Sequence, residues 1–494
     1  MEKPLRQFCL LLTAALVLAP VVWPRQSQDQ QQQQQQQQQQ GQAQQPTEQA
    51  QQPIPAYHPP LSGLGSDDDQ DQNANSPTET PDTHPLAGVQ QLGVGGEGIE
   101  RSYWEPSASV YSVANSAFGP GRGWAQWATL LGSIEAHRDS ARNELILDYT
   151  GGGMVSSSSA VGDFVLQQVE LGDTITLRRS TISLLNYTSY MPLASFGFAG
   201  LGGMSLPGTG TLGLETALLP SQSILSNFGQ HIANSDIVQI NTNITGRSSL
   251  TMIGGYSLLH FFEGSLLDSN EPTAQIGYNY QLTRRDTVAL LYNFADYQYT
   301  GLHQSITTNR ADLSYGRRVT GRMAFQIAAG PEAVTFNLPN STISTATGSE
   351  TVTRPSGAQL YWDLNASLQY ALSRTTFGLN YTHGVNGGSG VLEGAEGSTV
   401  VGTVTHDLSR QLQVGATGGY ARNKEVLGQP YTYDFWYGTG HLSRQLGRTV
   451  SLTLSYEYQR QSSTASFCIA NSCGKFDSST ISAGVSWHDH PIAF

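Results

Sequence analysis

The chain has 494 residues, of which only 13% are charged, and it carries 53 glycines and 22 tyrosines. A soluble globular surface is about a quarter charged, so something other than charge must cover this exterior. The net charge of −13 speaks against a nucleic-acid partner, because phosphate binding needs a basic face. The acidity is spread along the chain: residues 1–123 hold 12 acids and 5 bases, and residues 124–494 hold 26 and 20.

Lys3 and Arg6 precede an apolar run from Phe8 to Val22. A charged start followed by a run of this length predicts a signal peptide over 1–25, the run being short for a membrane span. Cys9 falls inside the run, too early for a lipidation site. Residues 26–106 predict a disordered periplasmic arm. Gln30 to Gln40 is an unbroken glutamine tract, and Pro, Asp, Asn, Ser and Gly dominate from Pro46 to Gly98. Such a composition cannot bury enough apolar surface to offset the entropy of ordering.

The pattern then changes, and residues 107–494 predict one large all-β domain. Val450, Leu452, Leu454, Tyr456 and Tyr458 alternate with Ser451, Thr453, Ser455, Glu457 and Gln459. Ala274 to Leu282 and Leu360 to Leu372 show the same period of two, whereas Thr287 to Phe294 is leakier. Period two means strands with one apolar and one polar face. The predicted strands are 107–114, 124–136, 142–154, 161–170, 174–188, 236–245, 248–260, 272–282 and 287–298. They continue over 307–316, 322–336, 357–372, 375–384, 398–408, 411–422, 431–444, 448–460 and 477–487. That makes about 18; the first two are weakly patterned, so 16 is the alternative.

Leu282-Thr283-Arg284, Leu372-Ser373-Arg374, Leu408-Ser409-Arg410 and Leu442-Ser443-Arg444 recur where segments meet, with Arg317-Arg318 in an equivalent place. One end of each hairpin is therefore tight, while the other is long and variable, as in the polar stretch Asn337 to Ser356. Short turns at one end and long loops at the other fit a transmembrane antiparallel up-and-down β-barrel. A propeller, a β-helix or a string of sandwiches would need a charged exterior. A lipid-facing apolar face and a watered interior explain both faces at once. Tyr278, Tyr280, Tyr292, Phe294, Tyr456 and Tyr458 are then expected in the outer aromatic girdle.

The leader, the Leu-Ser-Arg turns, the aromatic strands and the aromatic C-terminus resemble bacterial outer-membrane β-barrels of the porin type. The glutamine tract, Leu147-Asp148-Tyr149-Thr150-Gly151-Gly152-Gly153 and Trp487-His488-Asp489-His490-Pro491-Ile492 are similar to uncharacterised acidobacterial outer-membrane barrels. The resemblance covers 142–494 and implies an outer-membrane location, contact with its lipid and with the barrel-assembly machinery. It names no solute. Phe494 departs from the usual assembly signal, being out of register with Ile481, Ala483, Val485 and Trp487.

No nucleotide loop, zinc motif or nucleophile elbow stands out, so neither cofactor nor enzyme is implied. Gly93 to Gly98 is glycine-rich but lacks a strand-to-helix context. His488-Asp489-His490 reads as a solvated tail before it reads as a metal site. His260, His383, His406 and His441 lie in or near strands, without the fixed spacing that would single out a membrane-embedded hydrolase. Strand parity places Glu144, Asp148, Asp312, Asp363 and Glu457 inward, with Arg310 and Arg322.

The segment Ser189 to Ser235 has one charged residue, Glu215, and carries Phe196, Phe198 and Leu201. Such a loop should not lie in water. It is expected to enter the lumen as a constriction or to pack against neighbouring loops or a second subunit. A porin-like channel passing small hydrophilic solutes is the leading expectation. A plugged barrel acting in structure or surface interaction, and a membrane-embedded hydrolase, are the rivals. The sequence leaves an oligomer open.

Cys468 and Cys473 fall in an outer loop, and an exported chain meets an oxidising compartment. They are predicted to pair. Intact mass should rise by two hydrogens on reduction; free thiols in the folded protein would refute the pairing.

Overall fold

The computed structural model describes residues 102–493 apart from 120–122, 158–162, 192–229, 263–265, 301–303, 338–340, 346–347, 353–356, 389–390, 428–430 and 465–474. The described residues belong to one compact unit, Pro55–Phe494. The predicted leader and arm as far as residue 101, the constriction residues Phe196, Phe198, Leu201 and Glu215, and the pair Cys468 and Cys473 lie outside the described residues.

The first strands are β1 (Tyr103–Gly119), β2 (Gly123–Asp139), β3 (Asn143–Ser156), β4 (Phe164–Thr176), β5 (Ser180–Met191), β6 (His231–Thr245) and β7 (Ser248–Phe261). Next come β8 (Ser269–Gln281), β9 (Asp286–Tyr299), β10 (Gln304–Thr320), β11 (Met323–Asn337), β12 (Ser341–Thr345), β13 (Gly348–Val352) and β14 (Ala358–Ala371). The last are β15 (Thr375–Asn386), β16 (Ala395–Ser409), β17 (Leu412–Glu425), β18 (Thr432–Gln445), β19 (Val450–Ser463), β20 (Lys475–His488) and the short β21 (Ile492–Ala493).

Each wall strand pairs antiparallel with its neighbours in the chain, and β11 steps over the separate hairpin β12–β13 to pair with β14. β20 returns to β1, with Ser107 opposite His488 and Asn115 opposite Thr480. The described residues thus make a closed barrel of 18 strands. The 16-stranded alternative fails because β1 and β2 are full-length strands, β2 pairing with β1 and β3 and β1 closing the wall on β20. Their weak sequence pattern has a simple cause. Inward positions of β1 and β2 hold Tyr111, Val113, Trp127 and Leu131, all buried, so apolar residues occupy both faces.

Alternation decides which face a side chain takes. In β9, Leu290 is 64% exposed and its neighbour Leu291 2%. The outward set includes Val110, Leu313, Leu360, Leu379, Leu454 and Val485, with Trp104, Trp362, Trp436 and Trp487 among the exposed aromatics. Tyr278, Tyr280, Tyr292, Tyr456 and Tyr458 are likewise exposed on this face. The opposite set carries Ser, Thr, Asn, Gln and carboxylates.

Eight short turns lie at the end of the barrel where β1 begins and β20 ends, between β2 and β3, β4 and β5, and so on to β18 and β19. Every one contains an arginine: Arg142, Arg178, Arg247, Arg284, Arg322, Arg374, Arg410 and Arg448. Leu282-Thr283-Arg284, Leu372-Ser373-Arg374 and Leu408-Ser409-Arg410 follow that rule, whereas Leu442-Ser443-Arg444, expected at a turn, lies inside β18 and the turn after it carries Arg448. The rule also corrects a second expectation. β10 extends to Thr320, which pairs with Met323, so the turn is Gly321-Arg322. Arg322 is exposed there and does not line the lumen. The opposite end carries the longer connections, including 192–230 and 338–357.

Leu454→Arg puts a charge where Leu454 stands 47% exposed on the apolar face, at a cost of about 2–4 kcal/mol for a barrel in lipid. Ser455→Arg is expected to be mild, because Ser455 faces inward and bonds Ser482 Oγ. The heat needed to shift gel mobility in detergent measures both. Equal losses would show that the two faces are assigned wrongly.

Candidate functional site: the barrel lumen

Register brings carboxylates together that are far apart in sequence. Glu105 on β1 is the Cα partner of Glu135 on β2, Glu135 of Asp148 on β3, and Asp148 of Glu170 on β4. All four belong to the inward set, in the half of the barrel near the tight turns. Tyr103 Oη donates to Glu135, and His488 Nδ1 lies 3.1 Å from Glu105. Glu144 also faces inward and bonds His137 Nε2 at 2.9 Å.

A second cluster lies on β10, β11 and β14. Arg310 Nη1 donates to Asp363 Oδ1 at 2.9 Å. Asp312 accepts from Asn293 at 3.0 Å, and Glu332 is fully buried beside them. Glycine makes the room. A Cβ on Gly384 would stand 2.6 Å from Asp363 Oδ1, and one on Gly330 would meet the Ala311 carbonyl and Asp312. Arg310, Asp312 and Asp363 are therefore brought together. Asp148 belongs to the carboxylate row instead, and Glu457 faces inward on β19 beside Gln459. Glu105, Glu135, Glu170 and Glu332 were not singled out from sequence. Strand parity alone would have found Glu135 and Glu332; only register shows that they have charged neighbours.

The connection from β15 to β16 turns into the lumen. Above His383, β15 no longer pairs with β14. The freed amide of Val385 donates instead to Glu332 Oε2 at 2.9 Å. Tyr299 Oη donates to the Gly387 carbonyl at 3.1 Å. Val391 and Leu392 are buried against Ala233, Leu259 and Phe261 of β6 and β7 and against Tyr433 of β18. The loop thus reaches walls that are not adjacent to its own strands. Gly388 (φ 74°) and Gly394 (φ 82°) adopt the left-handed backbone that its two bends need. Gly394 also has Ile306 Cδ1 only 2.3 Å from where a Cβ would sit.

The fold and lining define a closed transmembrane-type barrel with an apolar exterior and an acid-rich interior. It is similar to the crystal structures of Pseudomonas aeruginosa OccK5 (OpdH), at 12% identity, 79% of this chain, 99% of that chain and a TM-score of 0.38. For Pseudomonas aeruginosa OpdQ the values are 11%, 80%, 100% and 0.41. For the outer membrane protein opdK of the same organism they are 11%, 79%, 99% and 0.39. At these scores the barrel rests on the chain's own strand pairing. No family model and no curated relative matches the chain.

Arg310→Met would leave Asp363, with its side chain 9% exposed, without its cation. Breaking a buried pair costs about 3–5 kcal/mol, and the lower end applies because Arg310 is a quarter exposed. The variant's unfolding midpoint in denaturant reads the loss; restoration by the double change Arg310→Met with Asp363→Asn would confirm the pairing.

Proposed function

We propose that this chain is an outer-membrane channel for passive passage of small hydrophilic solutes, with a preference for cations. The observation that carries this is the acid-rich inward face enclosed by an apolar outer wall. The row Glu105, Glu135, Asp148 and Glu170 has one carboxylate on each of four successive strands. The Arg310 cluster sets three carboxylates against one guanidinium. Rings of acidic side chains favour cations in a pore, and barrels of 16 strands or more are wide enough for an aqueous lumen. The inward-folded loop narrows that lumen from the side opposite the tight turns. The tight, arginine-bearing turns face the periplasm. Outer-membrane lipid and the barrel-assembly machinery are the partners this placement requires.

The inserted loop also gives weight to a second reading, a barrel plugged at rest and working through its surface loops. Planar-bilayer recording of the purified chain separates the two. The channel reading expects steady conductance and a reversal potential of cation-selective sign in a KCl gradient. Replacing Glu135, Asp148 and Glu170 together by glutamine should reduce that selectivity. Folded protein that carries no current would overturn the channel.

A further inference from the structure

A second constellation lies on the outside of the wall, where a channel needs only apolar side chains. His383 on β15 and Ser398 on β16 are Cα partners. His383 Nδ1 lies 2.7 Å from Ser398 Oγ. Glu396, two residues before Ser398 and so on the same face, brings Oε1 to 3.7 Å from His383 Nε2. Trp362 of β14, exposed on the outer surface, stacks on the imidazole with ring centroids 3.7 Å apart and an interplanar angle of 23°. The face is therefore the outer one, and the imidazole is held flat and largely covered, 7% exposed.

Packing does not require this arrangement. His383 Nε2 is buried with no hydrogen-bond partner, which costs free energy on a lipid-facing wall. Neighbouring outward positions use Leu379, Tyr381 and Val400 instead. A serine, a histidine bonded to it and a carboxylate on the far side of the ring are what an activated nucleophile needs. With the ring proton on Nε2, facing Glu396, Nδ1 accepts from the Ser398 hydroxyl. The 3.7 Å gap to Glu396 is too long for a hydrogen bond, but such contacts often tighten only when substrate binds.

The surroundings supply the rest of a lipid site. Below Ser398 on the same face, after Val400, comes Gly402. Gly402 pairs with Gly418, and Gly418 with Gly438, so three adjacent strands present glycine in one row. The row floors an outward cavity of about 790 Å³, walled by Leu379 on one side and Tyr458 on the other. Beside Ser398 stand two cations. Arg422, its Cα partner on β17, has Nε 3.7 Å from Asp434 Oδ1, and Lys424 Nζ lies 4.0 Å from Glu396 Oε2, so each cation already faces one carboxylate. Both side chains are more than half exposed. Ser398 is far from the tight turns along β16, which puts it toward the outer leaflet if those turns face the periplasm as proposed above. An apolar trough whose nearest glycine, Gly402, stands two outward positions from the nucleophile, with cations beside that nucleophile, matches an acyl ester of a lipid with an anionic headgroup.

We propose that Ser398, His383 and Glu396 form a lipid acyl-ester hydrolase site on the outer face of the barrel, distinct from the lumen. Ser398 Oγ attacks the ester carbonyl carbon while its proton passes to His383 Nδ1. The tetrahedral adduct collapses, and the alcohol leaves with that proton, so that the acyl group stays on Ser398. Water from the membrane interface then attacks the acyl carbon. His383 takes its proton and returns it to Ser398 Oγ as the fatty acid departs. The net change is ester plus water to acid plus alcohol. Arg422 carries the charge that meets the oxyanion. Glu396 is a positioning residue that holds the ring and stabilises its cationic form.

The full-length protein folded in detergent is treated with an alkyl fluorophosphonate, and the modified peptide is identified by mass spectrometry. Fatty-acid release is then measured from vesicles containing phosphatidylglycerol and, separately, from an acylated, phosphorylated glycolipid. The proposal expects the label on Ser398 and release in at least one of the two arms, the active arm naming the lipid. Ser398→Ala and His383→Ala should lower turnover by about 10³-fold or to background. Glu396→Gln should lower kcat, leave KM unchanged and move the acid limb of the pH profile. Every variant should keep the heat-shifted gel mobility and the bilayer conductance of the parent, which separates loss of chemistry from misfolding and from the channel. Folded parent protein with no label at Ser398, or release that survives Ser398→Ala, would overturn the proposal.

Discussion

The hydrogen-bonded seam between β1 and β20 is what the rest of this structure depends on. In hydrocarbon no water is available to an unpaired backbone amide, and each one left open costs several kcal/mol. A sheet can cross such a medium only if its first and last strands meet. Here Ser107 to Asn115 pair with Thr480 to His488, joining segments separated by almost the whole described chain. The tail adds a last piece: β21 pairs with Tyr103 and Trp104 below the end of β20. Contacts of such sequence separation are slow to form, because loop-closure entropy opposes them until they are made.

Once the wall is closed, a period of two allots every strand residue to lipid or to lumen. That single constraint lets charge be scarce in the whole chain and yet concentrated in particular places. Inward positions collect carboxylates, the tight turns collect arginines, and mixed pairs such as Arg422–Asp434 and Arg460–Asp477 occupy the far ends of outward faces. Glycine marks the sites where something must come close. Gly330 and Gly384 admit the buried carboxylates near Arg310, whereas Gly402, Gly418 and Gly438 hollow the outer surface.

The loop from β15 to β16 illustrates how a local break acts at a distance. Because β15 leaves β14 above His383, the Val385 amide is free to bond Glu332, and the chain beyond it enters the barrel. The same departure leaves the outer face of β15 ending at His383, under Trp362. One register decision therefore shapes both the narrowed lumen and the polar set on the outside.

The sequence by itself determined the barrel, because alternation and turn chemistry are local properties. Leu452, Leu454, Tyr456 and Tyr458 against Thr453, Ser455 and Glu457 could be assigned to faces without any coordinates, as could Arg310, Asp312 and Asp363. Leu290 and Leu291 could be assigned as well, through Val288, Tyr292 and Phe294 on one side and Thr287, Ala289 and Asn293 on the other, but Arg322 was misplaced because the turn lay a few residues later than Arg317-Arg318 suggested. Tertiary structure decided everything that depends on which residues of different strands stand opposite one another. Glu105, Glu135, Asp148 and Glu170 form a row, and His383 meets Ser398, only through register. The insertion of Val391 and Leu392 among Ala233, Leu259 and Tyr433 likewise follows from closure. Register is set cooperatively by the whole wall and its shear, so no segment of the sequence contains it.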